Sequence, residues 1–116
     1  MKLMAIAALA ALASPAFSEQ FKGVIVNPYT GYVSALIVVD KAKVQPHHLS
    51  ECGSGCEFTD FLMPGQCMVV SISRRDAAYG YHFGPADDVE NSRSQARHYC
   101  KKYGGTACKE YKPICN

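Results

Sequence analysis

The sequence predicts a small α+β domain, an antiparallel-rich sheet with two helices packed on it and stapled by disulfides. Three observations carry this expectation. Six cysteines follow an export signal in a chain of only 116 residues. β-Branched runs alternate with turns rich in Pro and Gly. The same order of strand, polar segment, cysteine and strand occurs twice, as a duplicated ββαβ unit would give.

The leader comes first. Lys2 precedes an almost pure Ala, Ile and Leu run from Met4 to Leu12, Ser14-Pro15 breaks that run, and Ala16-Phe17-Ser18 places small residues where a signal peptidase reads them. Residues 1–18 therefore read as a secretory signal and 19–116 as one disulfide-stabilised domain, bound for the periplasm or the extracellular medium. No later stretch approaches the roughly 18 apolar residues of a membrane span, so none is expected in the mature form. Without Lys2, 11 basic side chains face 10 acidic ones. That near-neutral balance argues against a nucleic-acid partner, which calls for a basic excess.

Cys52, Cys56, Cys67, Cys100, Cys108 and Cys115 all follow the leader. An even count in a short exported chain reads as a disulfide framework, each bridge contributing about 2–4 kcal/mol. Spacing alone does not choose the pairing. The pseudo-symmetry of the halves, C-x3-C-x10-C and C-x7-C-x6-C, suggests Cys52–Cys67, Cys100–Cys115 and Cys56–Cys108.

Individual elements follow from local chemistry. Val24-Ile25-Val26 is β-branched and runs into Asn27-Pro28-Tyr29-Thr30-Gly31, a turn with Pro and Gly suitably placed. Tyr32 to Val39 is nearly continuously apolar, which predicts a central, buried strand. Cys67 to Ser73 and Tyr79 to Phe83 are strands joined by the Arg74-Arg75-Asp76 turn. A short first helix is expected from about Pro46 to Cys52, since Pro is tolerated in a first turn. For the second helix, Ser92-Arg93-Ser94-Gln95 fits a capping box, and Ala96, Tyr99, Cys100 and Tyr103 form one apolar face. Asp87, Asp88 and Glu90 precede its start, Lys101 and Lys102 occupy its last turn, and Gly104 is its expected C′ residue.

The early Gly-Val-Ile-Val strand, the Gly-Tyr strand, and Cys52 with Cys56, Phe58 and Cys67 together resemble the exported bacterial family called domain of unknown function 4189. Ala96 and Cys100, followed by Gly104-Gly105, Cys108 and Cys115, are similar to that family's C-terminal half. The sequence departs from the family at Pro46-His47-His48, where the first helix is usually Ala-rich. The resemblance implies an exported, cysteine-rich domain and brings no catalytic residue with it.

Candidate chemistry is sparse. His47-His48-x3-Cys52-x3-Cys56 has the ligand types for zinc, but oxidised cysteines offer no thiolate, so no metal or other cofactor is expected. His82 and His98, with Lys101, Lys102 and nearby Asp87 or Asp88, could serve as acid and base in a small nuclease-like hydrolase. No nucleophile elbow, H-E-x-x-H or phosphate loop accompanies them. Cys52-x3-Cys56 is not the C-x-x-C of a redox centre.

What remains is a surface for binding. Tyr29 and Tyr32 flank an exposed turn, and Arg74, Arg75 and Tyr79 gather the side chains enriched at interface hot spots. Asp87 and Asp88 lie in an acidic loop that could meet a basic partner. The expected function is a non-catalytic protein-binding module, an inhibitor or immunity-type partner of another exported protein. The hydrolase is the alternative and a metal-binding protein the third reading.

Overall fold

A computed structural model describes residues 21–38 and 52–116. Strand β1 (Phe21–Asn27) forms a hairpin with β2 (Tyr32–Val38), and β3 (Glu57–Leu62) pairs antiparallel on the other side of β1. In a second sheet, β4 (Gln66–Ser73) forms a hairpin with β5 (Ala78–Pro85). A single turn of 3-10 helix (Ala86–Asp88) leads into helix α1 (Val89–Lys102). Two short pieces, β6 (Lys109–Glu110) and β7 (Ile114–Cys115), then return along the free side of β4. The orders are β2-β1-β3 and β5-β4-β6, with β7 also on β4. Both sheets keep their first strand central, but the described residues hold one helix and not two and do not show the expected duplicated ββαβ unit. The helix such a unit needs in its first half, and the leader, lie outside the described residues, as do His47 and His48.

Alternation along β4 decides the layering. Met68, Val70 and Ile72 form one core cluster with Val24, Val26 and Leu62 of the first sheet. Cys67, Val69, Ser71 and Ser73 point the other way and are also buried, beneath α1, which packs on β5 and β4. The domain therefore has three layers: sheet, sheet, helix. Ser92, Ala96 and Cys100 are the buried residues of the helix. At Gly80 the helix backbone comes so close that a Cβ there would collide with Tyr99 and Cys100.

Several sequence expectations need correcting. β2 is not central: among the described residues it pairs only with β1 and is an edge. Its apolar content reflects a hairpin against a buried strand, and length and hydrophobicity alone do not fix strand order. Helix α1 starts at Val89, a turn before the expected capping box, and no side chain caps it. Ser92 is buried and engages His82 of β5 at the helix–sheet interface, so its hydroxyl serves tertiary packing instead. The C-terminal signals hold, with Lys101 and Lys102 in the last turn and Gly104 at positive φ.

The disulfides are Cys52–Cys56, Cys67–Cys115 and Cys100–Cys108, not the pseudo-symmetric set. Cys67 and Cys115 face each other directly across β4 and β7. Cys100 closes onto the loop after its own helix, and Gly105 lies against that bridge. Cys56 leads into β3 of the first sheet and Cys108 into β6 of the second, so the expected Cys56–Cys108 bridge would join strands of different sheets.

Asn27 explains how the first bridge is held. It is buried, and its Nδ2 donates to the carbonyls of Cys52 (3.1 Å) and Ser54 (3.1 Å), while its Oδ1 accepts from Tyr29 N (3.0 Å). One side chain thus ties the β1–β2 turn to the Cys52–Cys56 loop.

Two stability outcomes are expected. Chain-entropy reasoning gives the Cys67–Cys115 bridge, with a sequence separation of 48, about 4 kcal/mol, against about 2 for Cys52–Cys56 with a separation of 4. Denaturant unfolding of the two paired Cys→Ala variants should therefore show the first clearly weaker. Gly80→Val should cost at least about 3 kcal/mol, the upper end of overpacking, because backbone and not a mobile side chain must yield. A stability close to that of the parent would refute the helix placement.

Candidate functional site

An open groove of ≈ 770 Å³ runs along the outer edge of β5. Ala77 to Phe83 line it, with Tyr99 from α1, Tyr103 just past the end of that helix and Asp60 from β3. Strand alternation sorts these groups. Tyr79, Tyr81 and Phe83 lean toward the first sheet and pack against the core cluster. Gly80 and His82 face the helix. The groove therefore has two aromatic walls, and the β5 main chain is its floor.

Each wall is fixed. Tyr79 and Tyr81 stack with centroids 6.5 Å apart, and Tyr99 and Tyr103, one helical turn apart, stack at 6.3 Å. The Tyr79 hydroxyl donates to Glu57 Oε1 (2.7 Å) and the Tyr81 hydroxyl to the Thr59 carbonyl (3.1 Å). Thr59 sits at the register shift between β1 and β3, an extra residue whose own hydroxyl donates to Val24 O (2.8 Å). The bulge thus aims a carbonyl at the groove wall. Burial and then the Glu57 bond push the Tyr79 phenol well above its ordinary value. Burial and the Asp60 charge raise that of Tyr81. Both hydroxyls stay protonated donors. Tyr103 is 64% exposed, an aromatic ring held at the rim, and Lys102 Nζ stands 6.0 Å from the Tyr99 ring centroid.

The other candidate residues lie around this groove. Tyr79 lines it. Arg74 and Arg75 are exposed in the β4–β5 turn at one end, and Asp87 and Asp88 are exposed in the 3-10 turn beyond the other. Tyr29 and Tyr32 are exposed on the β1–β2 turn, which meets the β4–β5 turn where Gly31 approaches Arg74 and Tyr111. Tyr29 itself lies over Gly55. Tyr81, Phe83, Tyr99, Tyr103 and Asp60, which also line the groove, are not among the binding residues expected from the sequence. The available signal was Tyr-Gly-Tyr: two rings on one strand face, separated by a residue without a side chain.

The histidines do not form an acid–base pair in the described contacts. His82 Nδ1 is 3.0 Å from Ser92 Oγ, and Ser92 is 1% exposed, so that hydroxyl cannot reach a substrate. His98 is exposed on the helix and packs edge-on against Tyr99. Cys52 and Cys56 are bonded to each other and so offer no thiolate to a metal. Among the described residues no group of three or more His, Cys, Asp or Glu has a metal-holding arrangement.

Among the described residues, fold and groove together define a class, a small disulfide-braced domain of two packed sheets and a helix, with the β5 edge open. A family model matches residues 21–115, and the chain belongs to the family known as domain of unknown function 4189. No curated protein and no solved structure matches it. The three disulfides are consistent with an exported protein, and among the described residues no helix is long and apolar enough to cross a membrane.

The turn at the arginine end of the groove depends on Asp76. Its Oδ2 accepts from Ser73 Oγ (2.6 Å), Thr106 N (2.7 Å) and Thr106 Oγ1 (2.8 Å), and Ser73 Oγ accepts from Ala107 N (3.1 Å). The Ser73 bond first, then those from Thr106, hold this carboxyl below its ordinary value. A depressed folded value means stabilisation that is complete above the free carboxyl range, about pH 4, and is lost as pH falls through the folded value. Asp76→Ala should therefore melt below the parent at about pH 6, with the gap closing as pH falls below about 4. A gap that stays constant with pH would show that the carboxylate charge plays no part.

Proposed function

We propose that this protein is an exported, non-catalytic protein-binding module, an inhibitor or immunity-type partner of another exported protein, and that it binds through the β5 groove. The observation that carries this reading is the pairing of two fixed aromatic walls with an open strand edge. Tyrosines supply large contact area at little cost in conformational entropy and are enriched at binding hot spots. The flanking Arg74 and Arg75 at one end, and Asp87 and Asp88 at the other, give the groove charges of opposite sign at its ends. That arrangement suits orientation of a partner more than raw affinity.

The test is capture from the envelope and medium of the exporting cell, with the oxidised protein as bait. A specific partner should be retained by the parent and lost, with affinity down about tenfold or more, by the Tyr99→Ala, Tyr103→Ala double variant. Circular dichroism and melting would verify that the double variant is folded. Absence of any specific partner, or equal retention by parent and variant, would refute this function for the groove.

A further inference from the structure

The hydrogen-bonding direction of β5 identifies what the groove can hold. Tyr111 N donates to Val70 O (2.9 Å), and Asn116 N donates to Gln66 O (2.9 Å). The even-numbered residues of β4 therefore turn their main-chain groups away from β5. In an antiparallel ladder the two residues of such a pair both face outward. Val70 is opposite Tyr81, Ile72 opposite Tyr79, and Met68 opposite Phe83. The N–H and C=O of Tyr79, Tyr81 and Phe83 thus point out of the sheet into the groove. Among the described residues, no backbone or side-chain group bonds to them.

Natural sheets blunt such edges with charge, proline or cover. The opposite edge of this sheet does so, with Lys109, Glu110, Lys112 and Pro113. From Ala78 to Gly84 the β5 edge carries no Asp, Glu, Lys, Arg or Pro. Its donors and acceptors recur at every second residue, about 7 Å apart. An extended polypeptide presents complementary groups at that repeat.

Building on the binding function proposed above, we infer that an extended segment of the partner adds to β5 as a further strand. Its side chains then alternate between the two walls. Those on the helix side lie against Tyr99 and Tyr103 and are apolar or aromatic. Those on the other side lie opposite Tyr81 and meet Asp60 of β3, which lines the groove, so this face carries a lysine or arginine. A single strand fits better than a second copy of this chain. A second copy would bring its own Tyr99, Tyr103 and β3 walls to the same seam, where both sides are already raised.

The probes are acetylated and amidated heptapeptides based on Val-Thr-Tyr-Lys-Val-Thr-Ser, with the Val and Tyr positions varied over Val, Leu, Tyr and Phe. Amide hydrogen exchange would be followed on the oxidised protein. Binding should slow exchange at Tyr79, Tyr81 and Phe83 and leave Gly80 and His82, already inside the ladder, unchanged. N-methylation of the peptide at the residues that pair with β5 should weaken binding about tenfold or more, since two or three hydrogen bonds are lost. Asp60→Lys should reverse the preference between Lys and Glu at the central peptide position. Binding by no member of the panel, equal binding of the methylated peptide, or protection at other amides would overturn strand addition. Protection of the three amides by self-association, without peptide, would assign the edge to a second copy and overturn it too. Should a partner still be captured in a Tyr99- and Tyr103-dependent manner after such a result, the binding function survives and only its mode is wrong.

Discussion

Strand β4 is buried on both faces, and both outer layers are built against it. Met68, Val70 and Ile72 meet Val24, Val26 and Leu62, while Cys67, Val69, Ser71 and Ser73 lie under the helix. An antiparallel sheet normally has one wet face, so a strand without one must be served on both sides. This requirement explains the choice of residues. The buried part of the face toward the first sheet, Met68, Val70 and Ile72, is wholly apolar. The face toward the helix admits serines, and each has a partner, Glu110 for Ser71 and Asp76 with Ala107 for Ser73. Burying a hydroxyl without one would cost about 1–3 kcal/mol.

A core this thin cannot hold the periphery by hydrophobic burial alone, and short-range covalent and polar ties take over. The three bridges act at three distinct margins: the Cys52–Cys56 loop before β3, the β4–β7 seam, and the exit from the helix. Polar contacts reinforce them. Asn27 joins the first bridge to the β1–β2 turn, Asp76 joins the β4–β5 turn to the loop holding Cys108, and Arg97 makes a two-point contact with Glu110 (2.9 and 2.6 Å) between helix and β6. The groove lies inside this frame. Its floor continues from the Asp76 turn, and one wall stands on the helix that Cys100–Cys108 fastens.

The alternating and β-branched segments were legible in the sequence because they depend on local chemistry. Val24-Ile25-Val26, Cys67 to Ser73, Tyr79 to Phe83 and the helix around Ala96 and Cys100 fall where period and turn residues put them. Strand order was not legible. The apolar run from Tyr32 reads as central, yet β1 holds that position because it is the strand that β3 also pairs with, a choice made by distant parts of the chain. The disulfides failed for a related reason. Symmetry of spacing does not reveal that Cys67 and Cys115 stand opposite each other across a ladder. Ser92 shows how tertiary packing can take over a capping signal, its hydroxyl being drawn to His82. Of the seven surface residues chosen from sequence, only Tyr79 lines the groove, because exposure and turn position mark tips of hairpins while the groove runs along a strand edge.

The same glycine that lets the helix dock also shapes the groove. Without a side chain at Gly80, α1 settles directly onto β5 and brings Tyr99 and Tyr103 out past the last strand of the sheet. The side chains on either side of that glycine, Tyr79 and Tyr81, are turned to the opposite face and anchored through their hydroxyls to β3. Neither wall therefore has to be ordered when something binds. Ordering a rotamer-rich side chain at an interface costs about 0.5–1.5 kcal/mol each, and here the four tyrosines already have ring or hydroxyl contacts. A preformed slot with unpaired main chain at its base favours recognition of chain direction and side-chain alternation over recognition of a single residue. Under the proposed function, such a slot would receive a segment of polypeptide with its side chains on either side of the β5 main chain.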